Sequence, residues 1–400
     1  MAGENGLYLL SMKETKFKHT EIGLIPEDWE IKTIGEIARI MSGGTPSTDV
    51  ASYWNGAIQW FTPAELSKAS KYVAKSERTI TELGLKNSSA KLLPPGTILL
   101  TTRASIGATA ILLNEACTNQ GFQSLIVHKK FSNEFIFYSL PLVKNEMIKQ
   151  ASGSTFPEIS AKKIASIGIA LPPKYAEQER IAKALSNIDS LINNLDRTIE
   201  KKKDIRQGAM EQLLSDKKRL PGFKGEWKKI EIGEICKRMT RGDVLSASNM
   251  NKGIIPVIAA GVEPAGYCDK YNRNPMTISI SGSGANAGFI AFHKNRIFAT
   301  DCFTISASDN YDVEFIYYVL KMRQKEIYKL QTGGAQPHVY PRDLSFLSVY
   351  YTEDIMEQRA IADILTAMDD EIAVLQMERD KYANIRSGMM DDLLTGRKRL

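Results

Sequence analysis

Residues 181–220 recur as residues 361–400 at a constant offset of 180, with no gap. The identities include Leu185/Leu365, Asp189/Asp369, Ile192/Ile372, Leu195/Leu375, Ile205/Ile385, Arg206/Arg386, Gly208/Gly388, Met210/Met390 and the pairs Leu213-Leu214 and Leu393-Leu394. Further upstream, Trp29 and Ile34-Gly35-Glu36-Ile37 match Trp227 and Ile232-Gly233-Glu234-Ile235 at an offset of 198, so the first copy carries 18 extra residues before its tail. The chain is therefore a duplication in which each copy is a variable globular part followed by a constant tail. Any fold for it must accommodate two quasi-equivalent halves.

The tails carry a helical signature. Apolar residues fall at Ile181, Leu185, Ile188, Ile192, Leu195 and Ile199, in alternating steps of four and three, a seam of coiled-coil type. The second tail repeats it with Ile361, Leu365, Met368, Ile372 and Leu375, places Arg379 where Ile199 stands, and continues through Tyr382, Arg386 and Met389. A helix over residues 175–214 would be about 60 Å long, too long to be buried in a small domain. Such a helix can lie on its own domain, but two matching seams in one chain can also pair with each other. The expectation is an antiparallel pair spacing two globular domains. Leu171-Pro172-Pro173 precedes the first helix and Leu220-Pro221-Gly222 closes it. Beyond the seams lie Lys217, Lys218 and Arg219, and again Arg397, Lys398 and Arg399; cations suit a helix C-terminus and can also hold phosphate.

Four hundred residues suffice for two or three domains, and 43% hydrophobic with 24% charged residues excludes collagen-like and wholly disordered classes. No run reaches the 18 or so apolar residues of a membrane helix, and the short apolar stretch near the start lacks the plan of a signal peptide; a cytoplasmic location is expected. Cys117, Cys236, Cys268 and Cys302 form neither a CxxC nor a Cys/His pair, so buried thiols in a reducing compartment are expected and no metal site. The net charge of +6 is compatible with a polyanionic partner without requiring one.

In the first globular part, residues 57–61, 97–101, 108–113 and 124–128 read as strands and 135–150 as a helix; in the second, 254–259, 276–281, 287–292 and 302–306 read as strands and 313–330 as a helix. Both are expected to be mixed α+β domains. Loops rich in small polar residues lie between the strands, offering hydroxyls, amides and free N–H groups that suit phosphate oxygens and base edges. The candidates for DNA contact in the first part are Ser42, Gly43, Gly44, Thr45, Ser47, Thr101, Arg103, Ser105, Asn119 and Gln120, with Arg103, Asn119 and Gln120 the sharpest. A fourth such loop is Ser152-Gly153-Ser154-Thr155. Turn geometry accounts for the glycines as well, and core packing for Tyr53, Trp54 and Trp60. In the second part Arg241, Lys270, Arg273, Asn286, His293, Gln336 and His338 occupy corresponding polar stretches without repeating the first set. Similar scaffolds with unlike polar loops point to two different sequences being read.

No P-loop, HExxH, nucleophile elbow or paired Cys–His framework is present, and the four histidines suggest no triad. The loop Ser281-Gly282-Ser283-Gly284-Ala285-Asn286-Ala287-Gly288 has the wrong spacing for a dinucleotide motif and follows no βαβ pattern. Asn274-Pro275-Met276-Thr277 lacks the second proline and the aromatic residue of an amino-methyltransferase segment. The chain reads as non-catalytic.

From residue 20 to the end the pattern resembles the specificity subunit of type I restriction-modification systems. The resemblance rests on Thr20-Glu21-Ile22-Gly23, Pro26-Glu27-Asp28-Trp29, Gly44-Thr45-Pro46, Tyr53-Trp54-Asn55-Gly56, Thr101-Thr102-Arg103-Ala104-Ser105-Ile106-Gly107, Thr118-Asn119-Gln120-Gly121-Phe122, and Leu171-Pro172-Pro173 leading to Glu177-Gln178-Glu179-Arg180-Ile181-Ala182. The second copy keeps Glu357-Gln358-Arg359 but has Tyr350-Tyr351-Thr352 in place of Leu-Pro-Pro, leaving the start of its helix open. The resemblance implies an α+β fold of two target recognition domains, at 20–170 and 221–352, separated by two long antiparallel coiled-coil helices within 171–220 and 353–400, with pseudo-two-fold symmetry. Residues 1–19 would be an N-terminal extension, with Met12 a possible natural start and 1–11 disordered. Each domain would read one half of a bipartite double-stranded DNA target, while the helices set the spacing and dock two modification subunits. S-adenosylmethionine, ATP and Mg would be used by the modification and ATP-dependent restriction subunits, with no cofactor in this chain. The rival expectations are a specificity subunit of another multi-subunit modification enzyme and a coiled-coil scaffold that binds no DNA.

Overall fold

The computed structural model describes residues 15–66, 71–103, 105–153, 157–215, 217–246, 250 and 252–400. The expected extension over residues 1–11 lies outside them, as do Ala104 and the Ser154-Thr155 part of the fourth polar loop. Two compact units emerge: one gathers residues up to Asn193 together with Asp380–Leu400, the other is Asn194–Arg379. Each unit thus joins one globular part to portions of both long helices, Tyr175–Leu213 and Ile355–Leu394.

In the first unit a five-stranded sheet has the order Ala38–Ser42, Gln123–Val127, Ile98–Leu100, Thr109–Leu112, Tyr72–Val73. Its neighbour is a three-stranded sheet of Ala116–Thr118, Trp54–Phe61 and Arg78–Ile80. The second unit repeats the plan with Thr240–Arg241, Cys302–Ser306, Thr277–Ser281 and Ile290–His293 in one sheet, and Gly266–Cys268, Ile255–Ile258 and Phe298–Ala299 in the other. The extra residues of the first copy supply Tyr72–Val73 as an added edge strand, paired parallel to Thr109–Leu112. All eight expected strands are present; that at 302–306 has the expected ends and the others are shifted. Ile290–His293 starts three residues later than expected because the left-handed Gly288 and the turn bond from Ala287 N–H to Gly284 O keep the preceding residues out of the ladder.

A paired strand closes each unit: Glu30–Thr33 runs antiparallel to Gly168–Leu171, and Trp227–Glu231 to Ser348–Thr352. The repeated Ile-Gly-Glu-Ile segments follow as single helical turns, Ile34–Ile37 and Ile232–Ile235. Thr33 and Glu36 form a reciprocal capping box on the first, which turns Ile34 and Ile37 into the core. The hairpin Phe17–Thr20 with Gly23–Pro26 extends across the boundary expected at residue 20, and Lys18 Nζ ties it to Glu27 O and Trp29 O at 2.8 and 2.7 Å.

The helix expected over 135–150 is interrupted. Asn133–Ser139 and Lys144–Gln150 are separated by a 3₁₀ turn, Leu140–Val143, because Pro141 has no N–H for the α-helical ladder. The counterpart also divides, into Val313–Met322 and Gln324–Lys329. The second long helix begins after the strand that contains Tyr350-Tyr351-Thr352, and Asp354 Oδ1 caps it by accepting from Met356 N at 3.0 Å and Glu357 N at 3.2 Å.

Within each unit the portions of the two helices run antiparallel. Arg386 donates to Asp189 in the first unit. In the second, Asp196 pairs with Arg379 at 3.0 Å, Lys202 with Glu371 at 2.6 Å, and Arg206 with Asp369. Ile181 and Leu185 join Leu393, Leu394, Trp29 and Phe135 in one core; Ile361 and Leu365 join Met210, Leu213, Leu214 and Phe315 in the other. Ile192, Ile199 and Ile372 are buried along the seam, with Ile188, Leu195, Met368 and Leu375 half-buried. Arg379, the polar break in the seam, is accommodated by its ion pair to Asp196.

Arg219, Arg397, Lys398 and Arg399, among the cations beyond the seams, are held by carboxylates. Arg399 grips Glu177 at 2.6 and 2.9 Å and Asp28 at 2.8 Å, Arg219 grips Glu357, and Lys398 meets Asp392 at 2.6 Å. The four cysteines are buried free thiols. Among the described residues no helix is long and apolar enough to cross a membrane.

Candidate nucleic-acid interface

In the first unit the polar loops converge. Gly44 N–H donates to Thr118 O at 2.8 Å, and Thr45 Oγ1 donates to Gln120 Oε1 at 2.6 Å, joining the loop after Ala38–Ser42 to the loop before Gln123–Val127. A Cβ on Gly43 would stand 1.9 Å from Asn119 O, so only glycine permits the approach. Trp60 Nε1 donates to Gly44 O at 2.9 Å and Trp54 Nε1 to Ser47 O at 3.0 Å, so the indoles carry this loop as well as the core. The rings of Trp54 and Trp60 meet edge to face at 5.1 Å, and the Arg78 guanidinium lies 3.8 Å over Trp54.

The loop at 101–105 joins the same cluster. Thr102 N–H donates to Gly121 O at 2.8 Å and Thr102 O accepts from Ile159 N at 3.2 Å. Ser152 and Glu158 exchange backbone bonds of 2.9 Å, which brings Glu158 beside Arg103, with Nε to Oε1 at 2.8 Å. Ser42, Ser47, Arg103, Ser105 and Gln120 are exposed, while Gly43, Thr45 and Asn119 are half-buried.

The second unit makes the same backbone junction with other side chains. Gly282 N–H donates to Asp301 O at 3.3 Å, Gly282 O accepts from Val339 N at 3.1 Å, and Thr332 and His338 exchange bonds of 2.9 and 2.8 Å. Every one of these positions lies 180 residues after its counterpart, so Arg103 corresponds to Ser283 and Glu158 to His338. Gly242 matches Gly43, since its Cβ would stand 1.9 Å from Thr300 O. Gly284 N–H donates to Pro337 O at 2.9 Å, which brings half-buried Asn286 and His338 and exposed Gln336 into one region; His338 stacks on Tyr340 at 6.0 Å. Arg241 and Lys270 are exposed.

Several sequence candidates are instead engaged internally. Thr101 is fully buried; its hydroxyl accepts from Ala108 N at 3.0 Å and donates to Ser105 O. Gly44 is buried by the loop junction. Arg273 spends its guanidinium on Thr304 Oγ1, Asn272 O and Arg241 O at 2.6–2.8 Å. The His293 ring turns inward to Ser279 Oγ at 2.8 Å, and burial pushes its pKa down to about 4, leaving it neutral near pH 7. Although a Ser–His contact has the form of a nucleophile and base, Ser279 is 3% exposed and lies within the sheet.

Glu158 was absent from the sequence candidates. A signal existed: Gly153 and Gly333, also 180 apart, both adopt positive φ, at 104° and 94°, and mark the two loops as counterparts.

The family model described as type I restriction modification DNA specificity domain matches twice, over residues 26–202 and 224–381. The chain belongs to this family. The MjaIX specificity subunit of Methanocaldococcus jannaschii is 42% identical over 184 residues, spanning 45% of this chain and 42% of that protein. The MjaVIII specificity subunit of the same organism is 24% identical over 97% of both chains. The crystal structure of a type I S subunit from M. genitalium shares the fold, with a TM-score of 0.70 at 20% identity over 95% of this chain and 99% of that one. The two family matches fall one on each copy of the duplication.

Proposed function

We propose that this specificity subunit reads a bipartite double-stranded DNA sequence, one half-site per unit. The observation that carries the reading is the shared loop junction, built at the same backbone positions in both units and dressed with different side chains. Ser42, Ser47, Arg103, Ser105, Asn119 and Gln120 offer donors and acceptors in the first unit. Arg241, Lys270, Asn286, Gln336 and His338 do so in the second. Hydroxyls, amides and basic groups on exposed loops suit phosphate oxygens and base edges, and a rigid scaffold fixes their register.

The long helices set the spacing between half-sites and dock two modification subunits, which use S-adenosylmethionine; restriction subunits use ATP and Mg. The chemistry lies in those partners, and this chain supplies the address. A duplicated subunit suits the role, because two similar scaffolds present similar docking surfaces while reading unlike sequences.

The test is to co-express the chain with its neighbouring modification subunit in a host lacking such enzymes and map methylated adenines by single-molecule sequencing. A split motif with an unread spacer is expected, and exchanging residues 20–170 for another such domain should change one half only. If an active modification subunit associates with the chain yet methylates nothing, the scaffold reading takes its place.

A further inference from the structure

We infer that Arg103, held by Glu158, selects a G·C base pair in the half-site read by the first unit; this rests on the DNA-reading function proposed above. The pair is exposed, with 51% of the Arg103 side chain and 40% of that of Glu158 accessible, whereas the backbone beneath is hydrogen-bonded. Thr102 and Ile159, their neighbours in sequence, are fully buried and bonded to each other, and Glu158 is fixed by both backbone bonds to Ser152. An ion pair this exposed contributes little to stability, so the fold does not require it.

Its geometry fits recognition. The Glu158 carboxylate lies 2.8 Å from Arg103 Nε as an ion pair, and no guanidinium N–H of Arg103 has a hydrogen-bond partner among the described residues, which leaves the donor fork free. Two parallel donors match O6 and N7 of guanine in the major groove. The Glu158 carboxylate beside them can accept from N4 of the paired cytosine, and its negative charge opposes a phosphate at the same place. Donor fork and acceptor side by side are therefore complementary to the edge of a G·C pair and poorly suited to the DNA backbone. The ion pair with Glu158 also keeps a long side chain at this place before DNA arrives, which lowers the ordering cost on binding.

The second unit lacks this device. Ser283 stands in place of Arg103 and donates to Asp301, and His338 stands in place of Glu158 and stacks on Tyr340. The inference thus concerns the first half-site alone, and the second serves as an internal control.

The experiment uses the chain complexed with its modification subunit, comparing wild type with R103A, R103K and E158Q by genome-wide adenine methylation. Exchange of residues 20–170 assigns the first half-site. R103A and R103K are both expected to relax one G·C position of that half-site by about ten- to a hundredfold, leaving its other positions and the second half-site unchanged. As a positioning residue, Glu158 gives a weaker signature: E158Q keeps the G·C preference with reduced discrimination. Equal loss on all sequences in R103A, rescued by R103K, would identify a phosphate contact and overturn the inference. So would a wild-type motif with no G·C position in the first half-site. If the wild-type complex yields no motif at all, the DNA-reading function fails and the inference fails with it.

Discussion

Arg219 holds the Glu357 carboxylate with Nε and Nη2, each at 2.7 Å, and the Glu357 side chain has no exposed surface. A buried carboxylate depends on its partner, because desolvation is unfavourable and the fork restores two charge-assisted hydrogen bonds. R219A should therefore destabilise the second unit by about 3–5 kcal/mol, and R219K by less, since lysine restores charge without the fork. Hydrogen exchange over residues 227–231 and 348–352 measures this directly. The first unit should keep its protection, because its equivalent contact is Arg399 with Glu177.

Gly43 and Gly242 stand where two loops touch, with a hypothetical Cβ 1.9 Å from Asn119 O and Thr300 O respectively. An alanine at either place must push backbone apart. G43A should abolish discrimination at the first half-site and spare the second, and G242A should do the reverse. Methylation mapping of both variants checks the reciprocity; loss of both half-sites in either would show that the units do not read independently.

His293 makes the second unit acid-sensitive. Its pKa falls to about 4 in the folded state through burial, against about 6.5 when unfolded. The unfolded chain therefore binds the proton more readily between those values, so stability is full above about pH 6.5 and declines as pH falls towards 4, by at most about 3 kcal/mol. H293Q should flatten that slope. Urea midpoints at pH 7.5 and 5 report the difference, and an unchanged slope would mean that other groups control it.

Deleting residues 194–200 and 374–380 removes two turns from each long helix and takes out Asp196 together with its partner Arg379. Seven residues nearly preserve the helical face, and the loss of about 10 Å corresponds to about three base pairs. The spacer between half-sites should shorten by that amount with both half-sites intact. An unchanged spacer in the methylation map would show that the helices do not set it.

The helices and strands were legible because their signals are local. The four-and-three spacing of Ile181, Leu185, Ile188 and Ile192 needs no distant partner to be seen, and Leu171-Pro172-Pro173 marks the helix start. Boundaries suffered where a local signal was overridden, as at Pro141 inside an apolar helical pattern and at Asp354, which caps a helix that lacks the prolines of the first copy. The candidate site was legible only in part. Arg103, Asn119 and Gln120 declared their chemistry, but Thr101 and His293 look equally polar in sequence and turn out to be internal.

The amino-acid sequence by itself determined the duplication, the seams and the polar character of the loops, since periodicity and composition are written along the chain. Only the tertiary structure decided that residues 380–400 belong with the first unit, that Arg399 answers Glu177 across 222 positions, and that Glu158 comes to stand beside Arg103. The first two go with the burial of Trp29, Ile181 and Leu394 in a common core and the third with the backbone bonds of Ser152 and Ile159, and such long-range contacts leave no period in the sequence for local reading to find.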